Sequence, residues 1–220
     1  MKTCRNQMIM IAMLAVTCLL FQTPTAQAFS LNDLSSTAET AKSAAEGANL
    51  LDRAKNVYTG FYDSTENLVD AQTLTMSLIN PDEGASLLSQ AGDINSGSTM
   101  TRLAKMVAFS ESMDAETTSP SLTSRLTKII TTPGNIEKAQ KVYGHASTAY
   151  TSGNNSVTEA KTLYTEIKNF ISSPSASGLS ESLLSGLGNY SDKILPFIIE
   201  NGPARVKSAA QIAQAFKGFL

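Results

Sequence analysis

Apolar residues recur every three or four positions along most of this chain, which is the spacing of an amphipathic helix. The longest such pattern runs from Leu31 to the residues before Asn80-Pro81. Its apolar positions begin as a seam of small residues and continue with bulkier ones: Leu34, Ala38, Ala41, Ala45 and Ala48, then Leu51, Ala54, Val57, Phe61, Ser64, Leu68, Ala71, Thr75 and Leu78. Gly60 lies inside the pattern, but an interior glycine costs only ~1 kcal/mol. We therefore predict one long helix over about 31–79 and a second long helix packed closely against its alanine seam.

Two later stretches, Asn135 to Ser152 and Ser156 to Ser172, show the same periodicity with larger side chains. In each stretch the apolar residues fall in one arc of a helical wheel, and the two sets are offset by three heptads. The sets are Ile136, Ala139, Val142, Tyr143, Ala146, Ala149 and Tyr150, and Val157, Ala160, Leu163, Tyr164, Ile167, Phe170 and Ile171. Both stretches are therefore predicted to be amphipathic helices.

The junction between these two stretches carries conflicting signals. Ser152-Gly-Asn-Asn155 is typical of a turn, and Ser156-Val-Thr-Glu159 is a capping box that would start a new helix. An offset of three heptads nevertheless carries the apolar stripe through the junction in phase, as in one continuous helix. Because the turn and the cap coincide, we predict a break, and hence a helical hairpin over about 135–172.

Shorter helices are predicted in the middle of the chain and at its C-terminus. Asn80-Pro-Asp-Glu83 is a strong helix start, since Asn caps, Pro fits the first helical position and acids favour the positive end of the helix dipole. The predicted short helices occupy about 81–132, and the predicted C-terminal helices occupy about 179–220, the last starting at Asn201-Gly-Pro203. The predicted fold class is all-α: an elongated bundle of long amphipathic helices with a middle region of short ones, in a single domain over 29–220.

Residues 1–28 have the pattern of a secretory signal peptide. Two basic residues precede the apolar run Met8–Phe21, and Ala26-Gln-Ala28 is a small-x-small cleavage site. The run is shorter than the ~20 residues that a spanning helix needs. The weaker alternative is a mature chain that begins at Cys18 and carries a lipid there. It is weaker because the apolar run continues beyond Cys18. We therefore expect cleavage after Ala28 and a periplasmic or secreted protein that retains neither cysteine.

The segment from Pro203 to Leu220 could also serve as a membrane-surface helix, because it contains three basic residues and no acid. A helical wheel nevertheless places Arg205 and Lys217 within the apolar arc, where lipid would surround their charges. This pattern fits docking of Phe216 and Phe219 onto a protein core better than membrane contact. Membrane-surface binding through 203–220 is therefore our second expectation.

Composition and charge narrow the classes of partner. Charged residues make up 16% of the chain and the formal net charge is −2, whereas ~25% is the usual charged fraction. A mildly acidic chain without a basic run is a poor binder of phosphate backbones. We therefore expect no nucleic-acid partner. An apolar content of 42% predicts a packed core rather than disorder.

No catalytic, cofactor-binding or metal site is predicted. His145 is the only histidine and lies on the polar side of its helix, where we interpret it as a solvated boundary residue. Without cysteines, one histidine cannot build an ordinary zinc site. Asp93-Ile-Asn-Ser-Gly97 begins like a calcium loop but lacks the loop's later glycine and glutamate. Glu111, Asp114 and Glu116 are interpreted as solvated acids.

These features lead to a functional hypothesis of protein binding. We expect an exported, non-catalytic helical protein that binds or organises other proteins in the periplasm or at the cell surface. By analogy of fold alone, it would suit an accessory or minor subunit of a secretion or pilus apparatus. Self-association into a homo-oligomer is compatible with the alanine seam. The alternative is a helical protein that binds an apolar ligand or acts on membranes.

Overall fold

The computed structural model describes residues 31–94 and 98–220, with side chains for all of these except 31–37, 93 and 99. These residues form helices and no strand, which confirms the predicted all-α bundle. The helices are α1 (Leu31–Ile79), α2 (Pro81–Asp93), α3 (Thr99–Thr117), α4 (Leu122–Ile129), α5 (Pro133–Ile171), α6 (Glu181–Asn189) and α7 (Leu195–Phe216). Shorter turns occupy Pro174–Gly178 and Lys217–Phe219 as 3-10 helix and Tyr190–Ile194 as π-helix.

The chain divides into two compact units at Ala38–Glu39. Of the first unit, the structure describes only the first turns of α1. The second unit, Glu39–Leu220, contains the remainder of α1 and all the other helices. Everything below concerns this second unit, and the predicted single domain over 29–220 stays a prediction.

Helix α1 is continuous through Gly60, as predicted. Its stripe from Ala54 to Leu78 is buried at each predicted position. The seam behaves differently, because Ala41, Ala45 and Ala48 are all exposed. The prediction that a second long helix packs against these alanines is therefore wrong for the described chain.

The alanine seam and the buried stripe lie on different sides of α1 because of the spacing of the apolar residues between them. Between Ala45 and Ala54 the apolar positions advance by three residues three times in succession, instead of alternating three and four. At ~100° per residue, these steps turn the seam roughly 120–180° away from the buried stripe. One helix therefore presents its C-terminal part to the core of this chain and its alanines to the outside.

The predicted break at Ser152–Ser156 is also wrong, because α5 runs without interruption from Pro133 to Ile171. Gly153 is buried where α5 crosses α1: a Cβ atom there would lie 2.6 Å from Ser64 Oγ. The Ser64 hydroxyl donates a 2.7 Å hydrogen bond to the Ala149 carbonyl, which fixes the crossing. The glycine thus permits close packing of two helices, and Glu159 pairs with Arg53 of α1 instead of capping a new helix.

The last helix begins earlier than predicted. Asn201-Gly-Pro203 lies inside α7, which starts at Leu195 and contains Pro203 in its interior. Gly202 is buried against Val157 of α5 and Phe61 of α1, and a side chain at 202 would collide with Val157. Buried residues of α7 lie both before and after Pro203, and this packing allows the helix to continue past the proline. Phe216 is fully buried and Phe219 partly buried, as expected for a helix that docks on the core.

Two apolar clusters fill the bundle formed by α1, α5 and α7. One cluster is centred on Phe61, Leu163, Ile167 and Ile198, and α3 and α6 cover it with Leu103 and Leu187. The other cluster includes Leu68, Leu122, Leu126, Val142, Ile212 and Phe216, so α4 also contributes to it. A smaller cluster of Val69, Met76 and Met113 joins α1 to α3. Helices α3 and α4 thus pack against the bundle of α1, α5 and α7.

Candidate functional site

One groove lies between the first part of α1 and the end of α5. Its volume is about 960 Å³. Lys42, Ala45, Glu46, Asn49, Leu50 and Arg53 of α1 line one side, and Glu166, Asn169, Phe170, Ser173 and Ser175 line the other. Leu50 and Phe170 are almost completely buried and form an apolar floor. Amide, hydroxyl and charged groups form the rim. We call this feature the α1–α5 groove.

Arg53 closes one end of the α1–α5 groove. Its guanidinium donates to Glu159 through Nη2 and to Glu166 through Nη1, both at 2.5 Å. Hydrogen bonds to Glu159 and Glu166 hold the pKa of Arg53 above its ordinary value. Two carboxylates thus surround one guanidinium, in charge-assisted hydrogen bonds that are stronger than neutral ones. This cluster fixes the position of α1 relative to α5 at the groove.

The exposed alanines lie directly beside the α1–α5 groove. Ala45 lines the groove, and Ala41 and Ala48 continue the same exposed side of α1. Helices pack with their axes 8–10 Å apart, and the small side chains of alanine permit the shorter distances. The seam and the groove together form a continuous surface, about three turns of α1 long.

A second arrangement of polar residues is buried where α1, α3 and α7 meet. Arg205 of α7 is only 4% exposed and donates to Asp114 Oδ2 at 2.7 Å and to Ser110 Oγ at 2.9 Å. Ser110 in turn donates to Gln72 of α1 at 2.7 Å, and the Gln72 amide donates to Asp114 Oδ1 at 2.9 Å. We call these four residues the Arg205 network. It joins three helices, and both carboxylate oxygens of Asp114 accept hydrogen bonds.

The Arg205 network changes the interpretation of the three acids in α3. Glu111 and Asp114 pair with Arg205, at 3.7 and 2.7 Å, and Glu116 pairs with Arg125 at 2.9 Å. The prediction that these acids are merely solvated is wrong for Asp114, whose carboxylate is three-quarters buried. The cation that this cluster holds is the protein's own arginine. Sequence reasoning missed Gln72 and Ser110, although a glutamine within the buried part of α1 signals a polar contact.

His145 lies half-buried at the boundary of the α1–α5 interface, rather than free in solvent. Its Nδ1 is 3.0 Å from Asn67 Oδ1 and 3.8 Å from Asp70 Oδ2. Burial raises the pKa of Asp70, and the nearby His145 opposes that rise. Burial also raises the pKa of Glu66, with a further contribution from Asp70 and Asp63. These contacts connect α5 with an acidic strip on α1.

Metal clusters and membrane-spanning helices can be assessed only within the described residues. Among the residues described, no group of three or more His, Cys, Asp or Glu side chains is placed to hold a metal ion. The rejected calcium loop at Asp93–Gly97 falls largely outside the described residues, as do the predicted signal peptide, its cleavage site and Cys18. Within the same described part, no helix combines the length and apolarity that crossing a bilayer requires.

No protein family, curated protein or solved structure matches this chain.

Proposed function

We propose that this chain is an exported, non-catalytic helical protein that binds or organises other proteins in the periplasm or at the cell surface. The observation that carries the proposal is the α1–α5 groove with its adjoining exposed alanines, Ala41, Ala45 and Ala48. This surface faces away from the chain's own core, although its periodicity is that of a helix–helix interface. Membership of a secretion or pilus apparatus rests on analogy of fold alone.

The chemistry of the groove favours an amphipathic helix as the docked element. An apolar floor of Leu50 and Phe170 would receive one or two apolar anchors of such a helix. Lys42 and Glu46 are both exposed on the rim, so a partner with charges of both signs finds a counterpart for each. Rim charges of this kind select the partner and its direction more than they increase affinity.

The alternative function, binding of an apolar ligand or action on membranes, has less support. A membrane-active α7 would have to leave the bundle, which would expose Phe216 and separate Arg205 from Asp114. The α1–α5 groove is open and rimmed by polar groups, whereas sites for apolar ligands are mostly enclosed by apolar side chains. We therefore rank protein binding first.

Blocking the seam tests this proposal. Ala45→Arg would place a long charged side chain at the centre of the surface, and Ala104→Arg makes the same change at an exposed position of α3. Mature protein carrying a photo-crosslinker at Asn49 should capture a discrete partner from its native envelope fraction. We expect Ala45→Arg to abolish this adduct and Ala104→Arg to preserve it. An adduct that survives Ala45→Arg, with both variants folded, would contradict docking at this surface.

The same reagents identify a homo-oligomer if that is the arrangement. Light scattering of the purified protein gives its mass in solution, and a crosslinked adduct of twice the chain mass identifies a second copy as the partner. We expect Ala45→Arg to dissociate such an oligomer. A monomer that forms no adduct in the envelope fraction would count against the proposed function as a whole.

A further inference from the structure

A second groove, between α5 and α7, combines aromatic rings with hydrogen-bonding groups. Its volume is about 340 Å³. Tyr143, Ser147 and Tyr150 line the α5 side, and Ala213, Gln214 and Lys217 line the side of α7 and its C-terminal turn. Tyr150 is 45% exposed, which makes it one of the few large apolar side chains exposed in the described chain. We call this feature the tyrosine groove.

We propose that the tyrosine groove binds an extended, proline-rich peptide segment of another protein that carries an acidic residue. This inference goes beyond the proposed function, because it names a different surface and a different class of ligand. It uses none of the residues of the α1–α5 groove. The two proposals can therefore fail separately.

The spacing of the tyrosines supports a polyproline II conformation in the ligand. Tyr143 and Tyr150 are seven residues apart in one continuous helix, which places them ~10.5 Å apart along the α5 axis. One turn of polyproline II helix contains three residues and rises ~9.3 Å. Successive turns of such a ligand therefore repeat at a distance within about 1 Å of the spacing between the two tyrosines. Aromatic-lined grooves are the usual receptors for proline-rich segments.

The hydrogen-bonding groups favour an extended ligand over a helical one. The backbone of a polyproline II segment makes no internal hydrogen bonds, so its carbonyl groups seek donors from the receptor. The tyrosine groove offers such donors in its two phenol hydroxyls, the Ser147 hydroxyl and the Gln214 amide. A docked helix satisfies its own backbone carbonyls, so only its side chains could accept hydrogen bonds from these groups.

The positive charge of Lys217 indicates that the ligand carries an acidic residue. Lys217 is the only charged residue that lines the tyrosine groove, and it makes no ion pair within the described part of the chain. A carboxylate near the end of the bound segment would meet this ammonium group. The ion pair would be exposed, so it distinguishes acidic from basic ligands more than it adds affinity.

Fluorescence anisotropy with synthetic peptides tests the proposal. The probe is a labelled peptide of nine prolines followed by two aspartates. One comparison peptide ends in two lysines instead, and another is an alanine-rich helical peptide that ends in two aspartates. We expect saturable binding of the acidic proline peptide, weaker binding of its lysine version and no binding of the helical peptide in this groove.

Variants assign the binding to the groove. Tyr150→Ala should weaken binding of the acidic proline peptide at least tenfold, and Tyr150→Phe should retain most of it. Lys217→Gln should remove the difference between the acidic and lysine peptides. Leu88→Ala is the matched control, since Leu88 is 53% exposed on α2, away from the groove. The absence of saturation, equal binding of the helical peptide, or binding indifferent to Tyr150→Ala would each overturn the proposal.

Discussion

Asp114 shows how one carboxylate can connect three helices. It accepts hydrogen bonds from Arg205 of α7 and from Gln72 of α1, while lying on α3 itself. The desolvation of a buried ion pair commonly cancels its attraction, so the pair itself adds little net stability. Removal of one partner is different, because the other charge then remains buried without compensation. The Arg205 network therefore enforces one arrangement of the helices.

The first prediction concerns the removal of one partner from this buried ion pair. Asp114→Ala leaves the Arg205 guanidinium buried and should lower the free energy of unfolding by ~3 kcal/mol or more. Glu111→Ala is the control, because Glu111 is half-exposed and 3.7 Å from the same guanidinium, and exposed ion pairs contribute only ~0–1 kcal/mol. Urea denaturation of both variants measures the difference. Equal effects would mean that solvent reaches Arg205 freely.

The second prediction concerns pH and Asp70. Because burial raises its pKa in the folded protein, the folded state binds this proton more tightly than the unfolded state. Stability from this group is therefore greatest below the ordinary carboxyl range and falls as pH rises through the elevated pKa. Asp70→Asn removes this loss, so we expect its melting temperature to exceed the wild-type value at pH 7. The difference should shrink towards pH 4, and thermal melts at both pH values measure it.

A lower melting temperature for Asp70→Asn at neutral pH would show that the contact with His145 outweighs burial. The two groups are 3.8 Å apart, so their attraction opposes the effect of burial on the pKa. His145→Gln, which removes the attraction but keeps a polar side chain, would then reduce stability by a similar amount.

At the scale of elements, glycines determine how closely the long helices pack. Gly153 of α5 is buried against Ser64 and Val206, whereas Gly144 of the same helix has open space around it. Gly153→Ala should therefore destabilise the protein by ~1–3 kcal/mol through overpacking. Gly144→Ala should stabilise it by up to ~1 kcal/mol, since alanine is the better helix former. Chemical denaturation of the pair measures both signs, and a gain from Gly153→Ala would contradict the crossing.

Gly60→Ala lies between these cases. Helix propensity alone predicts a neutral change or a gain of up to ~1 kcal/mol. A Cβ atom at position 60 would lie 2.8 Å from Ser156 Oγ, however, so the serine must move to accommodate it. We therefore expect a smaller gain in stability than for Gly144→Ala. When Ser156→Ala has removed the hydroxyl, Gly60→Ala should stabilise the protein as much as Gly144→Ala does.

Helix periodicity predicted most of the elements and the continuity of α1, but not the continuity of α5. The buried stripe of α1 and the inward faces of α5 follow from three- and four-residue spacing, which depends only on the local sequence. The junction at Ser152–Ser156 misled the prediction because its turn residues serve a different purpose. Gly153 permits contact with α1, and Glu159 binds Arg53. Both reasons lie about 100 residues away in the chain, where no local pattern records them.

The candidate sites were predictable to a smaller degree. The alanine seam is visible in the sequence, but its exposure depends on the steps of three residues between Ala45 and Ala54. Arg205 stood out as a charge within an apolar arc, and only the fold supplies Asp114 as its partner. The tyrosine groove forms between helices that are distant in the chain, so Tyr143 and Tyr150 read as ordinary core residues.

At the scale of the whole second unit, α7 is part of the core. Phe216 is fully buried against the cluster that contains Leu68 and Ile212. Phe216→Ala should therefore cost ~3–5 kcal/mol, and deletion of Pro203 to Leu220 should prevent stable folding. Thermal melts measure both effects.

We also expect little co-sedimentation of the intact protein with anionic liposomes. Membrane action would be favoured instead if the intact protein co-sedimented in a salt-sensitive manner and a truncated protein that still melts normally lost this binding.

The continuity of α5 has a consequence for any molecule that binds both grooves. The α1–α5 groove is lined near Glu166–Phe170 and the tyrosine groove near Tyr143–Tyr150, so ~30 Å of unbroken helix separates them. A hinge at Gly153 would let this distance vary, whereas a rigid helix holds it constant. Avidity then depends on the ligand's linker, because a flexible chain spans ~5–6 Å × √n for n residues. A bivalent ligand should gain most from a linker of roughly 30 residues and should bind no better than its separate parts when the linker is much shorter.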